Sequence, residues 1–147
     1  MLIGVIRGYF RPLHLMAKQF LFLYSVAFLF VSCSETDTTK PATEVISPTD
    51  TDTFFIKDTI LFSAVFTDNE ELSQYRLEMK NNFTEITDSL PAWKFVMVDA
   101  LAGTQDTVSQ NLIIPDTIYK GNYLLIVKCA DAEGNEATAD TARIVIE

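Results

Sequence analysis

Tyr123-Leu124-Leu125-Ile126-Val127-Lys128-Cys129-Ala130, running on into Asp131-Ala132-Glu133-Gly134-Asn135, is the stretch whose reading decides the fold. Tyr123, Leu125, Val127 and Cys129 recur at period two, and a strand sends residues at that spacing to one face. Leu124, Ile126 and Lys128 fall on the other. The polar run from Asp131 to Asn135 carries Gly-Asn turn chemistry and reads as a hairpin loop. A last strand follows, with Ala142, Ile144 and Ile146 turned inward.

The same alternation extends upstream. Ile60, Phe62, Ala64 and Phe66 share a face, and Asp68-Asn69-Glu70-Glu71 ends that run as a polar turn. Tyr75, Leu77 and Met79 alternate with Gln74, Arg76, Glu78 and Lys80 in a half-buried strand. Asn81 to Ala92 is a long polar connection, after which Trp93, Phe95 and Met97 share one face. Gly103 marks a turn before Thr107–Ile114, where Val108, Leu112 and Ile114 point inward. A first short strand is expected around Glu44–Ser47. The pattern predicts an all-β chain of about seven short antiparallel strands, with no segment that reads as an amphipathic helix: a β-sandwich.

At the other end of the chain, Met16-Ala17-Lys18 precedes an apolar run from Phe20 to Val31, which ends at Ser32-Cys33. A positive start, an apolar stretch of about twelve residues and small residues at its end form a secretory signal, too short for the roughly twenty residues that span a bilayer. Met16 is the expected true start. Phe30-Val31-Ser32-Cys33 resembles the bacterial lipobox, which implies cleavage before Cys33 and lipidation of its thiol. The alternatives are an uncleaved anchor and a simple secreted protein. The expected organisation is a signal peptide over 1–32, a lipidated Cys33 with a flexible tether over 33–43, and a sandwich domain over 44–147.

Composition narrows the function classes. The chain carries 11 basic and 20 acidic residues, net −9. Arg7, Arg11 and Lys18 leave with the leader, so Cys33–Glu147 stands at −12 and repels nucleic acid. The one histidine, His14, also lies in the leader. Histidine-based zinc and Ser-His-Asp or Cys-His catalysis are therefore excluded from the mature chain. With Cys33 lipidated, Cys129 has no disulfide partner and reads as a buried packing thiol.

Two details sharpen the sandwich to an immunoglobulin-like one. Gly121-Asn122-Tyr123 resembles a tyrosine corner, in which the hydroxyl bonds back to nearby backbone. Tyr123 to Asn135, a Y-x-L-x-V-x-C-x-D-x-x-G-N pattern, looks like the last hairpin of many bacterial Ig-like domains. Lipobox, tether and one such domain together resemble the uncharacterised Ig-like lipoproteins of Bacteroidota, including a family known only as a domain of unknown function. Glu35 and Asp37 resemble the acidic export signal of those lipoproteins, which implies the outer membrane and its outer face; ordinary linker composition is the alternative. In that family the connection after the third strand is often histidine-rich. Asn81-Asn82-Phe83-Thr84-Glu85 has no histidine, so the resemblance lends fold and location but no metal role.

Candidate sites remain. In an Ig-like sandwich the loop at Asp68, Asn69, Glu70 and Glu71 and the loop at Asp131, Glu133 and Asn135 lie at one end, where their oxygens would suit calcium. Exposed turns are made of the same residue types. Phe55 and Phe83 are candidate exposed aromatics for a binding patch, while Trp93 reads as core. Thr38, Thr59, Ser89, Thr107, Thr117 and Thr141 each follow an aspartate, with Thr39 or a small or aliphatic residue next. These resemble the O-glycosylation motif of Bacteroidota, although strand entries favour Asp followed by a β-branched residue on their own account. Asn82-Phe83-Thr84 fits the N-glycosylation pattern, a match that the bacterial host implied by the resemblance would leave without meaning. The expected function is a non-catalytic outer-membrane lipoprotein, binding or assisting an envelope protein or glycan. A calcium-dependent adhesion module and a ligand-free structural spacer are the alternatives.

Overall fold

The computed structural model describes residues 35–83 and 89–147. The signal peptide, Cys33, and Thr84 and Glu85 of the long connection lie outside the described residues. Eight strands run in the order β1 (Ala42–Ser47), β2 (Asp52–Phe54), β3 (Thr59–Thr67), β4 (Leu72–Asn81), β5 (Phe95–Ala100), β6 (Gln105–Ile113), β7 (Gly121–Asp131) and β8 (Asp140–Ile146). No helix occurs among the described residues. The strands form two sheets, β1-β3-β6 and β2-β8-β7-β4-β5, and the chain is an all-β immunoglobulin-like sandwich.

Period-two burial is what builds it. Ile60, Phe62, Ala64 and Phe66 on β3 are fully buried, as are Leu77 on β4 and Tyr123, Leu125 and Val127 on β7. Ala142, Ile144 and Ile146 on β8 and Leu112 and Ile114 at the end of β6 close the same core. The alternate residues of the three-stranded sheet face out, including Leu61 on β3 and Ile113 on β6. Trp93, Phe95 and Met97 are half-buried against the core, although β5 begins only at Phe95.

Two expectations change. The strand count among the described residues is eight, because β2 pairs with β8 over three residues, Asp52↔Ile144 to Phe54↔Ile146. That pairing is parallel, so the strands are not all antiparallel. Strand pairing begins upstream of residue 44. Thr36–Glu147 form one compact unit, and β1 pairs with β3 from Ala42↔Thr67. That register carries the segment upstream of Ala42 to the end of the sandwich where β3 turns into β4.

The tyrosine corner is present. Tyr123 is fully buried, and its hydroxyl donates to the Tyr119 carbonyl at 2.5 Å while accepting the Trp93 N–H at 3.2 Å. It thereby ties the start of β7 both to the loop before it and to the entry of β5.

Candidate functional site

Three segments meet at one end of the sandwich: the stretch before β1, the β3–β4 turn and the β7–β8 loop. The turns are laced together by backbone. Leu72 pairs with Asp131 at the β4–β7 ladder end, and the Ala132 N–H donates to the Glu71 carbonyl at 2.9 Å. The Asp68 N–H donates to the Thr104 carbonyl at 2.9 Å, which fixes the β3–β4 turn against the β5–β6 turn.

Asp131 is the last residue of β7, at the mouth of the β7–β8 loop, and is 2% exposed. Its Oδ1 accepts the Asn135 N–H and its Oδ2 the Asn135 side-chain amide, both at 2.7 Å. Gly134, at φ +89°, supplies the left-handed turn that brings Asn135 back to Asp131. The Asn135 amide also donates to the Asp37 carbonyl at 3.0 Å. The side-chain nitrogen of Asn135, a candidate ligand residue, thus ties the N-terminal segment to the loop.

Asp37 is the residue the sequence reading missed as part of this site. One ligand atom each from Asp37, Asp131 and Glu133 lie within 4.8 Å of one another, with Asp131 buried, Asp37 half-buried and Glu133 exposed. Asp37 Oδ1 accepts the Thr39 N–H at 2.8 Å. Its Oδ2 is buried and has no hydrogen-bond partner. The Thr39 backbone N–H holds the Asp37 carboxyl below the usual carboxylate range against the cost of burial, with the Asn69 and Thr39 side chains assisting.

Asp68 borders the same region without joining the three-carboxylate group. Its Oδ2 accepts the N–H groups of Glu70 and Glu71 at 3.1 and 3.0 Å, and its Oδ1 is a second buried oxygen without a partner. Asp68 and Asp131 are both close enough to Cys129 to disfavour its thiolate. Asn69, Glu70 and Glu71 are exposed. Asn69 faces Asp37, whereas Glu71 contributes its backbone carbonyl, and neither Glu70 nor Glu71 adds a carboxylate to the group. Among the described residues, the ion pairs join Lys57, Arg76, Lys80, Lys128 and Arg143 to other acids, and none reaches Asp37, Asp68, Asp131 or Glu133.

The remaining candidates lie elsewhere. Phe55 is 59% exposed. Phe83 is packed: its ring lies 4.7 Å from that of Tyr119 and meets Tyr123 edge-on at 5.6 Å, in line with a core neighbour rather than an open aromatic. Gly121 beside it stands at φ +147°, a backbone conformation that L side chains rarely adopt, while a Cβ there would make only ordinary contact with the Phe83 ring. The Cys129 thiol is buried, donates to the Ala42 carbonyl and contacts the Thr43 hydroxyl; burial raises its pKa. It is a packing residue.

Thr38, Thr59, Ser89, Thr107 and Thr117 are exposed and Thr141 is half-buried. Several of the aspartates preceding them have structural work. Asp58 accepts the Phe55 N–H, Asp106 those of Ala102 and Thr107, and Asp140 those of Val45 and Thr141. Recurrent Asp-Thr pairs here are in part the backbone caps of strand entries.

No curated protein matches the chain. It resembles the fibronectin(III)-like modules of CbhA from Clostridium thermocellum, at 15% identity and a TM-score of 0.48, over 74% of this chain and 47% of that one. The chain thus spans about half the length of that structure. It also resembles the PKD domain of an M14-like peptidase from a Thermoplasmatales archaeon, at 19% identity and a TM-score of 0.43, over 73% of this chain and 92% of that one. No enzymatic family is indicated. Residues 31–146 match the family described as Domain of unknown function (DUF4625), and the chain belongs to that family.

Proposed function

We propose that this chain is a non-catalytic lipoprotein of the bacterial outer membrane, of the Bacteroidota type, whose Ig-like domain binds or assists an envelope protein or glycan at the cell surface. The observation that carries the reading is Phe30-Val31-Ser32-Cys33 at the end of the apolar run Phe20–Val31. It places an acylatable thiol four residues before Asp37, at most about 14 Å of extended chain. Acyl chains at Cys33 would then hold the sandwich close to the membrane, more firmly with two or three chains than with one. The loop end that engages Asp37 would be the anchored end. Phe55, near the opposite end of β3, would stand among the residues free to meet a partner.

A binding role fits the chemistry. The chain after Cys33 lacks histidine, its cysteine is a packing residue, and its clustered carboxylates lie together on loops instead of facing each other across a substrate cleft. A net charge of −12 over Cys33–Glu147 favours a protein or glycan partner over nucleic acid. Protease treatment of intact cells, with mass spectrometry of the released and membrane-bound fragments, tests the reading. Release of the domain from unbroken cells, with a lipidated Cys33 left behind, is the expected result. A remnant without lipid on Cys33 would overturn the anchoring, and protection in intact cells would move the domain to the periplasm.

A further inference from the structure

We propose that the loop end of the sandwich is a calcium site, with Asp37, Asp131 and Glu133 as its carboxylate ligands. This stands apart from the question of anchoring, because it rests only on the described residues.

The first support is convergence. Oxygens sharing one calcium at 2.3–2.6 Å lie no more than about 5 Å apart. The ligand atoms of Asp37, Asp131 and Glu133, drawn from segments nearly a hundred residues apart in sequence, meet that limit at 4.8 Å. The second is an unsatisfied acceptor. Asp37 Oδ2 is buried and receives no hydrogen bond, and Asp68 Oδ1, on the adjoining β3–β4 turn, is in the same state. A buried anionic oxygen without a donor is costly, and a cation is a direct way to satisfy it. The third is charge. No lysine or arginine among the described residues pairs with these acids, so hydrogen-bond donors and no positive side chain offset their charge.

The donor set chooses the metal. All three ligands are hard carboxylates, and the one neighbouring thiol, Cys129, is engaged with Thr43 and Ala42, which disfavours zinc and softer metals. Magnesium demands near-ideal octahedral geometry, whereas calcium accepts irregular sets completed by backbone carbonyls and water. Asp131 Oδ1 and Oδ2 each keep a lone pair after accepting from Asn135. Asn135 positions the site: its amide holds Asp131 and the Asp37 carbonyl at once. Because Asp37 belongs to the segment before β1 and the other ligands to the β7–β8 loop, bound calcium would fasten the N-terminal segment to the sandwich.

The test uses the full chain in detergent, with calcium chloride titrated by calorimetry and by thermal melting. One calcium per chain is expected, with a rise in Tm of about 5 °C at calcium tenfold above its Kd, reversed by chelator. Asp37→Asn and Glu133→Gln, chosen because neither removes the Asn135 bonds of Asp131, should each weaken calcium binding at least about tenfold, a loss read from the Kd and so separate from any change in the calcium-free Tm. The proposal is overturned by an absence of calcium binding, or by an equal rise in sodium chloride of the same ionic strength. An equal rise with magnesium would overturn the choice of metal. Undiminished binding by Asp37→Asn would remove the N-terminal ligand on which the site depends.

Discussion

Replacing Tyr123 by Phe removes one oxygen from a fully buried ring and nothing else. That oxygen makes two bonds, donating to the Tyr119 carbonyl at 2.5 Å and accepting the Trp93 N–H at 3.2 Å. Phe fills the same apolar volume, so no cavity forms and the loss is polar. Two net hydrogen bonds are worth about 1 kcal/mol each, and stranding their backbone partners adds a further share of desolvation cost, so the sum is about 2–3 kcal/mol. For a domain of this size 1 kcal/mol moves Tm by roughly 4 °C, which gives a fall of about 8–12 °C. Urea unfolding monitored by Trp93 fluorescence measures it, with the midpoint lowered and the m-value unchanged. A loss below about 0.5 kcal/mol at constant m would show that the corner does not hold the start of β7 to the β5 entry.

Phe62→Ala empties a fully buried site on β3 and should cost about 3–5 kcal/mol by chemical denaturation, whereas Phe55→Ser, at a ring 59% exposed, should stay within about 0.5 kcal/mol. Gly134→Ala forces a Cβ onto a backbone at φ +89° and should lower stability by about 1 kcal/mol or more, seen as a lower Tm at saturating chelator. Alkaline titration followed by tyrosine absorbance should show Tyr75 and Tyr123 ionising above their ordinary value of 10.0, chiefly because burial disfavours the phenolate. The sign follows from linkage: a raised folded pKa means the native state holds its proton longer, so this stability is complete below pH 10 and declines as pH climbs through the folded values. A denaturation midpoint that held constant from pH 9 to 12 would contradict it.

The sandwich was legible because one face of each long strand is buried. Ile60, Phe62, Ala64 and Phe66, or Tyr123, Leu125, Val127 and Cys129, announce their period without any tertiary knowledge. β2 was not legible for the converse reason. Three residues have too few positions to show a period, and Asp52–Phe54 becomes a strand only because β8 offers its edge. Trp93 was assigned to the core face from alternation, and its half-buried place before β5 agrees. The packing of Phe83 is not legible locally, because the rings beside it, Tyr119 and Tyr123, lie some forty residues onward.

The site shows the same limit. That the Asp68 and Asp131 loops share an end follows from the fold class, and the ladder end at Leu72↔Asp131 places them there. Which oxygens converge does not follow, because it depends on small rotations of each turn. Glu70 and Glu71 spend their backbone on the turn and leave their carboxylates in solvent, while Asn135 turns its amide inward as a strut. Asp37 looked like part of a solvated tether because its neighbours Glu35, Thr38 and Thr39 carry no apolar period. The signal lay in β1. Once Val45 is paired alongside Ala64, the chain five residues before Ala42 must arrive beside the turn that follows Thr67.

The most direct test of the account is an anomalous-scattering measurement near the calcium-sensitive wavelength range on crystals of the protein grown with calcium chloride. The account predicts a single strong peak between Asp37, Asp131 and Glu133, with carboxylate oxygens about 2.3–2.6 Å away. A map with no peak there, or with Asp37 turned away from an ion held by the β7–β8 loop alone, would contradict it.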